Sequence, residues 1–246
     1  MLLVVLMIVF ISEFGFASFF QKKIVRAASP IGWSKTYGGP YGEEAWSVVQ
    51  TNDGGYAVAG WSVNFSFGNV DVWLVKVDEV GNAQWNRTYG NEDFGEEAQS
   101  IIQTSDGGYA LAGSQDKYTG TGPHDALLIK TDAEGNLEWE VTYGGSGDDQ
   151  AFSVVQVVEG GYVFAGYTRS FGAGNSDFWL VKVDSKGDVV WNKTYGEDFS
   201  EEAYSLVQTF DGGYALAGRV GFFEYDAWLV KTDALEIFSG TKPMGC

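Results

Sequence analysis

Four pairs of adjacent acids, Glu43-Glu44, Glu96-Glu97, Asp148-Asp149 and Glu201-Glu202, recur at near-regular spacing along this 246-residue chain. Carboxylates repeated in this way can do two kinds of chemistry. Gathered at one place they repel one another unless a hard cation such as Ca²⁺ sits among them. Facing one another across a channel, they can serve as acid and base in a hydrolase or lyase. The residue types that other chemistries need are scarce: His124, in a Gly/Pro loop, is the sole histidine, and Cys246 is the sole cysteine. No multi-His or Cys-based metal site and no intrachain disulfide can be built, and a Ser/His/Asp or Cys/His site is not expected. The sameness of the four pairs counts against catalysis, which needs two carboxyls in unlike environments. The residues alone therefore favour a non-catalytic module with Ca²⁺ as the candidate ion, the carboxylate-dependent hydrolase or lyase being the alternative.

The elements that must carry these acids come from an internal repeat. Gln50, Gln103, Gln156 and Gln208 mark one register and Gly60, Gly113, Gly166 and Gly218 another, both stepping by 53, 53 and 52 residues. A period near fifty signals a repeat architecture. Within the unit 43–89, the run AWSVVQT is followed by Asn52-Asp53-Gly54-Gly55, whose glycines let the chain reverse into YAVAGWS. The run DVWLVKVD is followed by Asp78-Glu79-Val80-Gly81-Asn82 and then AQWNRTY, a second hairpin. Two linked hairpins make a four-stranded sheet that cannot cover both faces alone, so each copy must lean on the next. The sequence predicts an all-β β-propeller of four antiparallel blades at 43–89, 96–143, 148–195 and 201–233. A parallel β-helix, the rival, has shorter rungs and lacks paired hairpin turns.

The two ends bear on closure. Gly32-Trp33-Ser34-Lys35-Thr36-Tyr37-Gly38 copies the fourth strand of a repeat, as at Trp85–Gly90, without the three strands before it, and 226–233 supplies a third strand without a fourth. The expectation is that residues 32–38 complete the last blade and close the ring, so that the propeller domain spans 29–233. A piece of a longer propeller is the alternative. Residues 2–11 are an uninterrupted apolar run, and 1–28 read as a signal peptide or N-terminal anchor and linker, so export to the cell surface or medium is expected, with membrane contact only through residues 2–20. Residues 234–246 form a tail outside the repeat. With 15 Lys and Arg against 33 Asp and Glu, net charge is −18, which fits neither nucleic acid nor anionic lipid as a partner.

The segments Asp78-x-x-Gly81-x-x-x-Trp85, Asp132-x-x-Gly135-x-x-x-Trp139 and Asp184-x-x-Gly187-x-x-x-Trp191 resemble the tryptophan-docking motif of quinoprotein-type propellers. The whole unit resembles the DGGY/WLVK repeats of secreted archaeal and bacterial PQQ-like or kelch-like propellers. The resemblance covers about residues 32–233 and implies the fold; it implies no one activity. This chain has one residue fewer between the Asp and the Gly and no vicinal cysteine pair, so no PQQ site is expected.

Recognition of a protein or glycan is expected on the face carrying the variable loops between second and third strands. Its candidate residues are Trp61, Phe65 and Phe67 in the first blade, Tyr118 and His124 in the second, Tyr167 and Phe171 in the third, and Phe222, Phe223 and Tyr225 in the last. Asp71, Asp125, Asp177 and Asp226 are read as loop caps. Lys76, Lys130, Lys182 and Lys231 are read as structural partners of the acids two residues on, and the register glutamines as amides bonding backbone between blades. The near-identical DGG turns read as turn mechanics. Asn64, Asn86 and Asn192 head glycosylation sequons.

Overall fold

The computed structural model describes residues 32–64, 69–116 and 122–233. Phe65, Phe67, Tyr118, the apolar N-terminal segment and the 234–246 tail lie outside the described residues. Among the described residues fifteen strands form four antiparallel sheets, each in simple sequence order. Sheet A holds β1 (Glu43–Gln50), β2 (Tyr56–Asn64), β3 (Asn69–Val77) and β4 (Ala83–Tyr89). Sheet B holds β5 (Glu96–Gln103), β6 (Tyr109–Asp116), β7 (His124–Thr131) and β8 (Leu137–Tyr143). Sheet C holds β9 (Asp149–Gln156), β10 (Tyr162–Thr168), β11 (Asp177–Val183) and β12 (Val189–Tyr195). Sheet D has three strands, β13 (Ser200–Gln208), β14 (Tyr214–Gly221) and β15 (Tyr225–Lys231). Consecutive first strands touch one another, β1 with β5, β5 with β9 and β9 with β13, whereas no two fourth strands make comparable contact. The sheets therefore fan out from their first strands, in a β-propeller-like arrangement.

Each seam between sheets is built the same way, because the repeat brings the same side chains to it. At the A/B seam, Ala57, Ala59, Val72 and Leu74 of one sheet bury against Ile101, Leu111, Leu127 and Ile129 of the next. The fourth-strand tryptophan meets the tyrosine that opens the next second strand edge to face, Trp85 with Tyr109 at 5.8 Å and Trp139 with Tyr162 at 5.9 Å. The tyrosine that ends the fourth strand donates its hydroxyl to the next sheet's turn, Tyr89 to Gly135 O and Tyr143 to Gly187 O, both at 2.7 Å. The register glutamines also bridge seams, Gln103 Oε1 accepting from Asn52 N and Gln156 Oε1 from Ser105 N, each at 2.8 Å.

Every first strand carries a β-bulge. Ala45 pairs with Gly60 and Ser47 with Ala59, leaving Trp46 without a partner in β2; Gln99, Phe152 and Tyr204 are bypassed in the same way. The bulge presses the first-strand backbone toward the glycine opposite. A Cβ on Gly60, Gly113, Gly166 or Gly218 would collide with the carbonyl oxygen of Glu44, Glu97, Gln150 or Glu202, which accounts for the glycine register.

Closure by residues 32–38 is not observed. Among the described residues sheet D ends at β15, whose strand partner there is β14. Residues 33–37 instead lie on sheet A: Trp33 Nε1 donates to Glu79 O at 3.2 Å, Tyr37 Oη to Gly81 O at 2.8 Å, and the Trp33 ring meets Tyr56 at 6.0 Å. The segment thus makes the contacts a preceding blade's fourth strand would make, without pairing to a third strand. The sequence shows what this segment copies; it does not specify whose edge the segment joins.

Candidate functional site

Sheet pairing first separates the acid pairs. Ala45, Ala98, Ala151 and Ala203 stand opposite the register glycines, so Glu43, Glu96, Asp149 and Glu201 are equivalent, as are Glu44, Glu97, Gln150 and Glu202. Asp148 belongs to neither series: it sits one residue ahead, where the second blade has Gly95. The four pairs therefore are not four copies of one device.

Acids of the first series are engaged by their own linkers. Glu43 accepts from Gly39 N at 3.1 Å, Glu96 from Gln115 Nε2 at 2.9 Å, and Asp149 from Gly145 N at 2.8 Å and Ser170 Oγ at 2.5 Å. Glu96, Asp149 and Glu201 also approach the acid at the start of the preceding blade's third strand. A Cβ on Gly90 would lie 2.6 Å from Asp71 Oδ1 and 2.8 Å from Glu96 Oε2, and Asp125 with Asp149 and Asp177 with Glu201 converge likewise on Gly144 and Gly196. Burial, the main cause, lifts Glu96 and Glu201 to about 7. Among the described residues no group of three or more His, Cys, Asp or Glu can hold a metal ion, so the eight acids do not form the expected ring for Ca²⁺.

The asymmetry falls at the B/C seam. Glu97 pairs with Ser114, and Asp116, two residues on, pairs with His124, so strand alternation puts all four on one face of sheet B. The displaced Asp148 approaches them from the linker into sheet C. His124 Nδ1 lies 2.8 Å from Asp148 Oδ1 and Nε2 lies 2.7 Å from Asp116 Oδ1. The His124 backbone N–H also donates to Asp148 Oδ1 at 2.9 Å, and Tyr167 donates its hydroxyl to Asp148 Oδ2 at 2.6 Å. Arg169 stands 3.8 Å from the same carboxylate. The hydrogen bond to Asp148, with the charges of Asp116, Asp148 and Glu97, raises the His124 pKa against the effect of burial. The two carboxylates favour the protonated ring, which bonds to Asp148 through Nδ1 and faces Asp116 across an ionic contact at Nε2.

The same contacts drive two carboxyls apart. Burial pushes Glu97 up, the His124 charge opposing it and Asp116 and Glu44 adding to it. Asp148 also feels burial, but hydrogen bonds from His124 and Tyr167 outweigh it and hold the group well below the ordinary carboxylate range. Glu97 is thus the better proton donor and Asp148 a fixed negative charge, within one cluster whose His124 side chain is 34% exposed.

The other candidate binding residues do not join this cluster as one patch. Phe171 is exposed beside Trp179, Trp61 is half-buried near Gly42, and Phe222 and Phe223 meet edge to face at the tip of sheet D. Tyr225 lies under the Arg219 guanidinium, which also pairs with Glu202 at 2.8 Å. Asp116 and Ser114 were not singled out from the sequence; the pairing of Asp116 with the lone histidine was the available signal. The repeated lysines also reach across the sheet: Lys76, Lys130 and Lys231 meet the turn aspartates Asp53, Asp106 and Asp211 at 2.8, 2.9 and 2.7 Å. Beside the hydrogen bonds from Asn136, the charge of Lys130 also lowers the pKa of Asp132, two residues on. The DGG turns are therefore charge anchors as well as reversals.

No family model matches the chain, and no curated protein matches it. Among solved structures it is similar to Bacillus subtilis levansucrase, with TM-score 0.46, 8% identity, and 79% of this chain and 69% of that one covered. A B. megaterium levansucrase variant gives TM-score 0.45 and 10% identity, with 81% and 72% covered. These neighbours are enzymes, whereas the expectation from the sequence is a non-catalytic recognition or structural module. The likeness is one of fold and says nothing of this chain's reaction or substrate.

Proposed function

We propose that the protein is a carboxylate-dependent hydrolase or lyase whose working groups are Glu97, His124 and Asp148 at the B/C seam. The observation that supports it is the divergence of two neighbouring carboxyls, Glu97 raised by burial and Asp148 lowered by His124 and Tyr167, the arrangement that lets one site supply both an acid and a negative charge. In a hydrolysis Glu97 gives its proton to the leaving oxygen as the bond to that oxygen breaks. Water adds to the other fragment and returns a proton to the Glu97 carboxylate. Asp148 stabilises positive charge that develops at the reacting carbon, while His124 fixes Asp148 and Asp116 in place. The chemistry is local to one seam and does not use the fourfold set of acids.

The test is turnover by the purified chain on a panel of aryl glycosides, aryl esters and polysaccharides. Glu97→Gln is expected to lower kcat about 100-fold or more, and Asp148→Asn comparably. Full turnover in Glu97→Gln, or no turnover of any panel member by folded wild type, would sink the reading.

A further inference from the structure

Among the described residues, the two outer faces of the array carry side chains that match the two sides of an inner seam. Val48 in β1 is 64% exposed, whereas its equivalents Ile101, Val154 and Leu206 are 4%, 2% and 4% exposed against the preceding sheet. Leu229 in β15 is 67% exposed, whereas Leu74, Leu128 and Leu180 are fully buried against the following sheet. A cavity of about 480 Å³ lies between residues 36–39 and sheet A, beside Trp73 and Val75. At the next seam the equivalents of those two, Leu127 and Ile129, are covered by Val72 and Leu74, whose own counterparts in sheet D are Ala227 and Leu229. Polar devices are divided in the same way. Ile101, Val154 and Leu206 each donate a backbone N–H to the hydroxyl of Ser47, Ser100 or Ser153 in the preceding first strand, and among the described bonds the series stops there, with Ser205 and Val48 as its outstanding members. Glu43 approaches Gly38 as Glu96 approaches Gly90, but its third-strand counterpart, Asp226, is on sheet D.

We infer that a second copy of this chain completes this seam: residues 33–38 of each copy, seated on their own sheet A, add a fourth strand to β15 of the other, and the two copies close one eight-bladed ring. Continuity with the three seams already formed supplies the recognition, since the same side-chain types meet at each. The contact is head to tail, so it must close on itself or run on into a filament. Two copies give eight blades, at the top of the usual range of about four to eight, and three copies would exceed it. Joining β15 also pairs a strand that stands at a sheet edge among the described residues.

The mass of the full chain in solution, by light scattering, is expected to be twice that of one chain. The cross-link is specified by register. Lys35 is equivalent to Arg87, and Leu229 to Leu74, and Leu74 pairs with Arg87. With Cys246→Ser in both, a Lys35→Cys chain mixed with a Leu229→Cys chain is expected to form a disulfide between the two chains, while neither alone does so. A folded wild-type monomer at micromolar concentration would overturn the proposal, even if the cysteine variants failed to fold. So would a chain carrying both cysteines that forms the bond within itself and remains monomeric, since that is closure by its own end.

Discussion

Replacing Glu96 by glutamine should remove one share of the fall in stability as pH rises through the neutral range. Glu96 is fully buried, Gln115 and Asn91 donate to its Oε1, and its Oε2 shares the space around Gly90 with Asp71. Burial raises the carboxyl from 4.5 to about 7, the hydrogen bond from Gln115 opposing and the charges of Glu140 and Asp71 adding. The sign follows from the protons each state holds. Below the unfolded value both states are protonated and the group imposes no penalty; between the two values only the unfolded chain has released its proton; above the folded value the penalty stops growing. At about 1.4 kcal/mol per unit, the wild type should lose about 3 kcal/mol between pH 4.5 and about pH 8 through this group alone. Glu96→Gln keeps the shape and cannot ionise. Urea unfolding of both proteins across that range gives the contribution as a difference, in which other raised groups such as Glu201 cancel. Parallel curves for variant and wild type would refute the assignment of a protonated, buried Glu96.

Three further outcomes are expected. Tyr143→Phe removes the hydroxyl that donates to Gly187 O at a buried seam and should cost about 1–2 kcal/mol in urea unfolding. In the wild type, burial raises the Asp106 pKa, but hydrogen bonds from Thr104, Lys130 and Gly108 outweigh it and hold the group at about 2 against an ordinary 3.8, so its contribution is lost as pH falls through that interval. Lys130→Met should flatten this acid limb, read by thermal unfolding between about pH 4 and pH 2. Because His124 is the sole histidine, its ring protons report one titration by NMR: the wild-type midpoint should lie above 6.5 and Asp148→Asn should lower it, and an unchanged midpoint would remove Asp148 as its partner.

Much of the architecture could be read before any coordinates. The Gln and Gly registers and the paired turns placed the first blade at 43–89, where β1 begins at Glu43 and β4 ends at Tyr89. Strands in this chain are fixed by local turn chemistry, which the residues display. The site was less legible, because adjacency in sequence hid a change of register. Asp148-Asp149 looks like Glu96-Glu97, yet the pairing of Ala151 with Gly166 puts Asp148 one place ahead. His124 looked like a loop residue because the glycine and proline before it mask the start of β7, and its partner Asp116 lies across the hairpin. The lysine-to-turn pairs are hidden in the same way: Asp78 turns into its own loop, where its carboxylate accepts from Val80 N and Asn82 N, and Lys76 reaches across the sheet to Asp53.

The bulge in each first strand has a bearing on how such a protein can change. Trp46, Gln99, Phe152 and Tyr204 are the positions that β-pairing skips, and they sit on the strands where successive sheets meet most closely. Phe152 already touches the rings of both Tyr167 and Tyr204, linking the third blade's inner wall to the one beyond it. Side chains at these four places can be exchanged, large for small or oily for polar, without disturbing a single cross-strand partnership. The lining of the hub can thus be retailored independently of the scaffold that supports it.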